Sequence, residues 1–168
     1  MATGDIKLMY GTAADATITL ASLASSSTLL DGQESTAIDN TSLLAIDYLI
    51  SGKITTGTSP TAGRMIQVWA VASWDGTTWP GPFDGTDSAE TMTDQTKATL
   101  CKLVACVSIT STNNTTYEFS GVSLAGVFDG TLPPKFVFFV TQNSGANLRS
   151  VSNTHQIRVQ PVYESRAV

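Results

Sequence analysis

Residues 65–71 read Met-Ile-Gln-Val-Trp-Ala-Val, and this alternation of side chains recurs along most of the chain. Successive side chains of an extended strand point to opposite faces, so Ile66 and Val68 would share one face of a sheet. The segments 44–50 and 136–140 also alternate, and they carry apolar residues on both faces. This pattern predicts central strands, or strands whose outer faces meet another subunit.

Turn chemistry separates these segments. Asp75-Gly76 and Asp129-Gly130 tolerate positive φ, and residues 57–63 read as a loop between two long strands. Short strands punctuated in this way predict an antiparallel sandwich or barrel. Helix signals are weak: a serine run interrupts 21–30, and 88–99 would hold about one turn with Asp87 or Ser88 as N-cap.

Length and composition fit one domain covering residues 1–168. Charged residues make up 14% of the chain and the net charge is −5. Because nucleic acids and anionic membranes both attract clustered Lys and Arg, neither is an expected partner. The chain opens without the basic and apolar regions of a secretion signal, so we expect it to be made in a cytoplasm.

The sequence nominates no catalytic residue, metal site or cofactor. His155 is the one histidine, and no acidic or cysteine residue lies near it in sequence. A catalytic role would need such a partner, so we expect His155 to be a polar residue at the start of a strand. Cys101 and Cys106 have neither zinc nor redox spacing. Their odd offset predicts opposite faces of one strand and two small buried residues.

The segment 69–87 has the strongest functional signal, since it holds all three tryptophans beside several aspartates. Its candidate contact residues are Trp74, Asp75, Trp79 and Phe83. Exposed aromatic rings next to carboxylates suit stacking on a sugar, and tryptophans also anchor protein interfaces. In a third interpretation Trp69 is a core residue, and Trp74 and Trp79 cover an end of the sandwich. These three interpretations stay open.

The string at 51–90, SGKITTGTSPTAGRMIQVWAVASWDGTTWPGPFDGTDSAE, resembles virion structural proteins of tailed bacteriophages, especially small capsid decoration (cement) and related head proteins. The resemblance rests on a strand ending at Gly52-Lys53-Ile54, the loop at 55–63 and the turn at 73–77. It implies a jelly-roll-like β-sandwich with little helix, located on the capsid exterior, in a trimer or dimer that clamps neighbouring coat subunits.

This resemblance predicts a non-enzymatic protein that binds the major capsid protein and itself. Residues 1–16 are predicted to form an extended contact arm, because its apolar residues Ile6, Leu8 and Tyr10 are poorly suited to a loose terminus. A carbohydrate-binding module and a tail or fibre component are the alternative functions.

Overall fold

The computed structural model describes residues 6–166. Its elements, in chain order, are β1 (Ile6–Tyr10), β2 (Ala14–Asp15), β3 (Asp31–Glu34), β4 (Ile38–Asp39), β5 (Asp47–Thr55), β6 (Met65–Ser73), β7 (Ala89–Thr91), α1 (Asp94–Leu100), β8 (Cys101–Ser108), β9 (Thr116–Ser123), α2 (Leu124–Val127), β10 (Lys135–Gln142), a 3-10 turn (Ser152–Thr154) and β11 (Gln156–Arg166). Strands dominate this range, and the two α-helices in it are short.

The strands form two antiparallel sheets. Sheet A has the order β1–β11–β5–β9, and β2 also pairs with β11. Sheet B has the order β7–β3–β10–β6–β8, and β4 also pairs with β10. Strands that neighbour each other in a sheet are never consecutive among the described residues, and the polypeptide crosses repeatedly between the two sheets, as in a jelly roll. The predicted all-β, jelly-roll-like sandwich with little helix is confirmed.

The main core lies between the two sheets. Sheet B contributes Phe136 and Phe138, and sheet A contributes Tyr48, Ile50 and Ile157, all at most 1% exposed. The rings of Tyr48 and Phe136 meet edge to face, with centroids 5.3 Å apart. Each such side chain contributes roughly 1.5–3 kcal/mol by its burial, so the alternation in the sequence accounts for the sandwich.

A second apolar cluster covers the outer face of sheet B. Val71, Val137 and Phe139 point out from the sheet, and Phe83 and Met92 from the segment before α1 pack over them. Phe83 meets Phe139 edge to face at 5.6 Å. β6 and β10 therefore lie inside the sheet, as predicted, and the chain's own segment covers their outer apolar residues.

The short helix α1 lies over this outer face. Its Lys97 donates hydrogen bonds to the Leu29 carbonyl at 2.7 Å and to Gln67 at 2.9 Å, and its ammonium is 5.0 Å from the Trp69 ring centroid. The predicted N-cap at 87–88 is wrong, because Ala89–Thr91 pairs with β3 and the helix begins after Thr93.

The weakly predicted helix at 21–30 is also absent from the structure. The hydroxyl of Ser26 accepts hydrogen bonds from the N–H groups of Leu30 and Asp31, at 3.3 and 3.2 Å. This local side-chain bonding competes with helix formation and favours turns. The segment accordingly consists of turns and irregular chain.

The predicted placement of the cysteines on opposite faces is wrong as well. Cys101 pairs with Val71 and Cys106 with Gln67, and both partners lie on the outer face of sheet B. A bulge where β8 passes from Leu103 to Ala105 inserts one residue and resets the alternation. Both thiols are free; Cys101 is buried, but Cys106 is exposed, contrary to the expectation that both are buried.

Candidate binding surface at one end of the sandwich

One end of the sandwich forms where β5 and β10 begin and β6 and β11 end. A series of contacts runs across it. Trp74, just after β6, meets Phe128 edge to face with centroids 6.0 Å apart. Phe128 follows α2, and an N–H of α2 donates to the Asp47 carboxylate at 2.8 Å. Asp47 pairs with Val162, which pairs in turn with Tyr10. The tryptophan turn and β1 therefore belong to the same end.

Large apolar side chains are concentrated at this end. Among the described residues eleven such side chains are exposed, and nine of them lie here. We call this surface the apolar end, and define it by Ile6, Leu8, Met9, Tyr10, Leu43, Leu44, Ile46, Trp74 and Leu100. Exposed apolar groups gathered in one region mark interaction sites more often than scattered ones do.

The predicted N-terminal contact residues lie on a projecting ribbon. β11 pairs with β5 only as far as Val162, whereas it pairs with β1 as far as Arg166. The ribbon of β1 and the end of β11 thus extends past β5. Ile6, Leu8 and Tyr10 share one face of β1 and are 60–65% exposed. Within the predicted 1–16 arm, residues 6–10 and 14–15 form the edge of sheet A, and residues 1–5 lie outside the described residues.

The strand start at β5 brings in residues that the sequence did not nominate. Asn40 accepts from the Ala45 N–H at 2.9 Å and donates to the Ala45 carbonyl at 3.0 Å, which closes a turn before the strand. Leu44 in this turn has a φ of 49° and is 74% exposed. The alternation had placed Leu44 and Ile46 on the same face as Tyr48, but the strand begins at Asp47 and both side chains are exposed.

A groove lies beside Trp74, with a volume of about 390 Å³. Trp79, Leu100 and Phe128 line it together with Trp74, and Lys102 contributes its polar rim. Lys102 forms a salt bridge of 2.9 Å with Asp129. The groove therefore has aromatic walls, and the Lys102 ammonium at its rim is already paired with Asp129. No local pattern in the sequence points to Phe128 and Leu100, because each reaches the groove from a distant element.

The Asp75 carboxylate organises the turn that carries Trp74. Its Oδ1 accepts from the N–H groups of Thr77 and Thr78 at 2.9 and 2.7 Å, and from the Ser73 hydroxyl at 3.2 Å. Hydrogen bonds from the side chain and N–H of Thr78, and from the N–H of Thr77, hold the pKa of Asp75 well below its ordinary value. Asp75 thus shapes the turn, and this is its main role in the structure.

Phe83 does not share the surface with the other three predicted contact residues. It is 4% exposed and packs in the second cluster, so its grouping with Trp74 is corrected. Its burial follows from the turn at 84–85, whose N–H groups donate to the buried carboxylate of Glu34. Burial raises the pKa of Glu34 to about 7, against the effect of these hydrogen bonds.

The other aspartates of this segment also bond within the chain. Asp84 accepts from the hydroxyl and N–H of Thr86 at 2.6 and 2.8 Å. Asp87 accepts from the hydroxyl of Thr19 and the amide of Gln33, both at 2.6 Å. Burial opposes ionisation of Asp87, but these hydrogen bonds prevail and lower its pKa. These carboxylates therefore help to hold the segment in place, through both oxygens of Asp87 and through Oδ1 of Asp84.

His155 links two segments at the opposite end. Its Nδ1 accepts from the Thr55 N–H at 3.3 Å, and its Nε2 lies 2.8 Å from the Arg149 carbonyl. This pattern fits a neutral ring with its proton on Nε2. Burial lowers the pKa of His155, which favours the same neutral form. Its two ring nitrogens are thus engaged with the backbone.

Two further observations bear on ligands and membranes. Among residues 6–166, no three His, Cys, Asp or Glu side chains gather closely enough to hold a metal ion. In the same part of the chain, no helix has the length and apolar character that crossing a bilayer requires.

Comparisons with known proteins yield structural similarities but no match to a family or a curated protein. No protein-family model matches the sequence, and no curated protein matches it. Among solved structures, a chain in the structure of infectious bursal disease virus, Gx strain, is similar at 13% identity and a TM-score of 0.36. The similarity covers 96% of the present chain and 40% of the viral chain. A similarity of this extent says nothing about function, and the fold description rests on the strand order above.

Proposed function

We propose that this chain is a non-enzymatic virion structural protein of a tailed bacteriophage, which decorates and stabilises the capsid exterior by binding the major capsid protein and itself. The observation that carries the proposal is the apolar end. Leu44, Trp74 and Ile6 are each more than half exposed there, and exposing them to water costs free energy that a protein partner would recover.

The polar chemistry of the chain supports the same proposal. Asp75, Asp84 and Asp87 bond within their own segment, and His155 bonds to backbone. Polar side chains that bond within the chain hold the fold in place. The contacts through which this chain would bind a partner are then mainly apolar. Residues 51–90 resemble phage head proteins, and this resemblance favours the capsid lattice as the partner. On a lattice, a modest contact repeated many times gives high avidity.

The test uses purified capsids that lack this protein. Added protein is expected to sediment with the capsids and to raise their melting temperature. The double variant Leu44→Ser and Trp74→Ser should lose most of this binding, while Val151→Ser, which changes an exposed apolar residue elsewhere, should retain it. Capsids whose melting temperature is unchanged at saturating protein would contradict the proposal.

The Trp74 groove favours a second candidate, a carbohydrate-binding module on a tail or fibre. Trp74 is 58% exposed above an aromatic hollow, as in a sugar-stacking platform. A glycan titration that quenches tryptophan fluorescence in the wild type and spares Trp74→Ala would favour this function. Absence of any hit on a glycan array, with binding to capsids intact, would exclude it.

A further inference from the structure

β1 has a free edge. It is the outermost strand of sheet A, and no described segment pairs with the edge that faces away from β11. All five of its residues are exposed, and four of them are large and apolar. Natural edge strands are usually protected by proline, bulges or several charges. β1 has one lysine, no proline and no bulge against β11, so its edge is open to another strand.

The hydrogen bonding of the neighbouring strand tells which groups face this edge. The N–H of Gly11 donates to the Pro161 carbonyl at 2.8 Å. Residues that bond to one partner alternate along an antiparallel strand, so Met9 and Lys7 also direct their backbone groups to β11. The remaining residues of β1 direct their N–H and C=O groups to the free edge: Ile6, Leu8 and Tyr10.

From this geometry we infer that β1 pairs antiparallel with β1 of a second copy of the chain, about a two-fold axis at Leu8. This inference rests on the proposed function, in which the chain binds itself, and it specifies which strands pair and in which register. In this register Leu8 faces Leu8 of the copy, Ile6 faces Tyr10, and Lys7 faces Met9. Every backbone group directed to the free edge then bonds across the new pair.

The charge on β1 selects this register. An axis at Lys7 would set two lysines directly opposite each other, which destabilises a strand pair. An axis at Met9 would leave Ile6 outside the paired region. The axis at Leu8 pairs all five residues, opposes no like charges and forms a leucine–leucine contact at its centre. The strand is therefore self-complementary about Leu8.

The apolar surroundings would enlarge this contact. A pair of five-residue strands is smaller than a standard interface of roughly 800 Å² per partner. Ile46 and Leu44 lie at the same end as the ribbon and are 42% and 74% exposed. Their burial would add to the strand pairing. We expect a dimer with a dissociation constant of about micromolar size.

The self-facing position of Leu8 gives a sharp test. Sedimentation velocity across a concentration series should show wild-type dimers. Leu8→Lys and Leu8→Glu should each be monomeric, because like charges then face each other across the axis. An equimolar mixture of the two variants should restore the dimer. Val151→Lys, an equal change at an exposed apolar residue outside the apolar end, should dimerise like the wild type.

The contradicting results are distinct. A monomeric wild type, single variants that still dimerise, or a mixture that stays monomeric would each overturn the pairing at Leu8. At protein concentrations well below the dimer dissociation constant, melting curves of the variants should match the wild type, because Leu8 is exposed. Capsid sedimentation of the same samples separates the two proposals. A monomeric wild type that binds capsids would overturn only the dimer, and a dimeric wild type that does not bind capsids would overturn only the capsid role.

Discussion

The two ends of the sandwich differ in how many large apolar side chains they expose to solvent. The apolar end exposes nine large apolar side chains, whereas the loops 56–64, 109–115 and 143–155 at the other end expose one, Val151. We call this second surface the polar end. Its loops bond to one another through backbone: Thr61 donates to the Ser144 carbonyl at 2.8 Å, and Gly63 donates to the Ile109 carbonyl at 3.0 Å.

The same two sheets thus end in hydrogen-bonded loops on one side and in exposed apolar side chains on the other. At the polar end, loop backbone groups find partners within the chain, so that surface is complete by itself. At the apolar end the turn before β5 is also closed by hydrogen bonds, but its side chains are apolar and face solvent, and the outer edge of β1 has no partner among the described residues. Mutations at the polar end should therefore affect stability, and mutations at the apolar end should affect association.

The largest effect is expected at the polar end, from Gln142→Leu. The buried amide of Gln142 donates to the Leu23 and Ala146 carbonyls at 3.2 and 3.0 Å and accepts from the Ser144 N–H at 2.7 Å. Leucine would leave the buried Ser144 N–H without its acceptor and would remove one of the two donors from each carbonyl, at a cost of about 3 kcal/mol. Urea unfolding measures this loss. Thr58→Ala, an exposed change in a nearby loop, is the control, and equal midpoints for both variants would refute the contrast.

A somewhat smaller effect is expected from Glu34, which holds the segment that carries Trp74. Because burial raises its pKa to about 7 from an ordinary 4.5, the folded state binds its proton more tightly than the unfolded state. Its contribution to stability is full below pH 4.5 and declines as the pH rises through 7.

Glu34→Gln should remove this decline and be more stable than the wild type at pH 8, by about 2 kcal/mol. Guanidinium unfolding at a series of pH values checks the slope. Glu118→Gln, which removes an exposed carboxylate on β9 of the other sheet, is the matched control. A wild-type stability that stays level between pH 4.5 and 7 would count against a protonated Glu34.

His155 should produce the opposite pH dependence at the polar end, with a smaller effect than that of Glu34. Its lowered pKa means that the folded state binds the proton less tightly, so stability is full above pH 6.5 and declines as the pH falls below it. The chain has one histidine, so an NMR titration of its ring is unambiguous. A ring that titrates above 6.5, or that carries its proton on Nδ1, would be inconsistent with the bonding to Thr55 and Arg149.

The smallest effect on stability is expected at the apolar end. Leu44→Ser removes a side chain that is 74% exposed, and should change the free energy of unfolding by less than about 0.5 kcal/mol. The same change should weaken capsid binding severalfold. Val151→Ser should leave both quantities unchanged. A loss of stability above that limit in Leu44→Ser would show that Leu44 supports the fold, and would weaken its assignment as a contact residue.

The strands were predictable from the sequence because alternation is local. Ile66 and Val68 point into the core as the pattern at 65–71 indicates, and the turns fall where glycine and aspartate predict them. The apolar end was only partly predictable. Ile6, Leu8 and Trp74 were identified from their composition and position, but Phe83 was misplaced because its burial depends on Glu34, which lies far away in sequence.

Departures from regular alternation explain the remaining differences. The bulge in β8 brings Cys106 to the same face as Cys101, and a single residue inserted in a ladder leaves no mark in composition. The turn that exposes Leu44 depends on two hydrogen bonds between Asn40 and Ala45, one donated by the Asn40 amide and one by the Ala45 N–H. Such side-chain-to-backbone bonds are specific to the folded chain, so periodicity alone extends the strand too far.

The most direct test of the account is hydrogen–deuterium exchange of the protein, free and bound to capsids. Binding is expected to protect Ile6–Tyr10, residues 43–46 and the residues around Trp74, and to leave exchange in the loops 56–64 and 143–155 unchanged. Protection confined to those two loops, with the apolar end exchanging as in the free protein, would contradict the assignment of the apolar end as the binding surface.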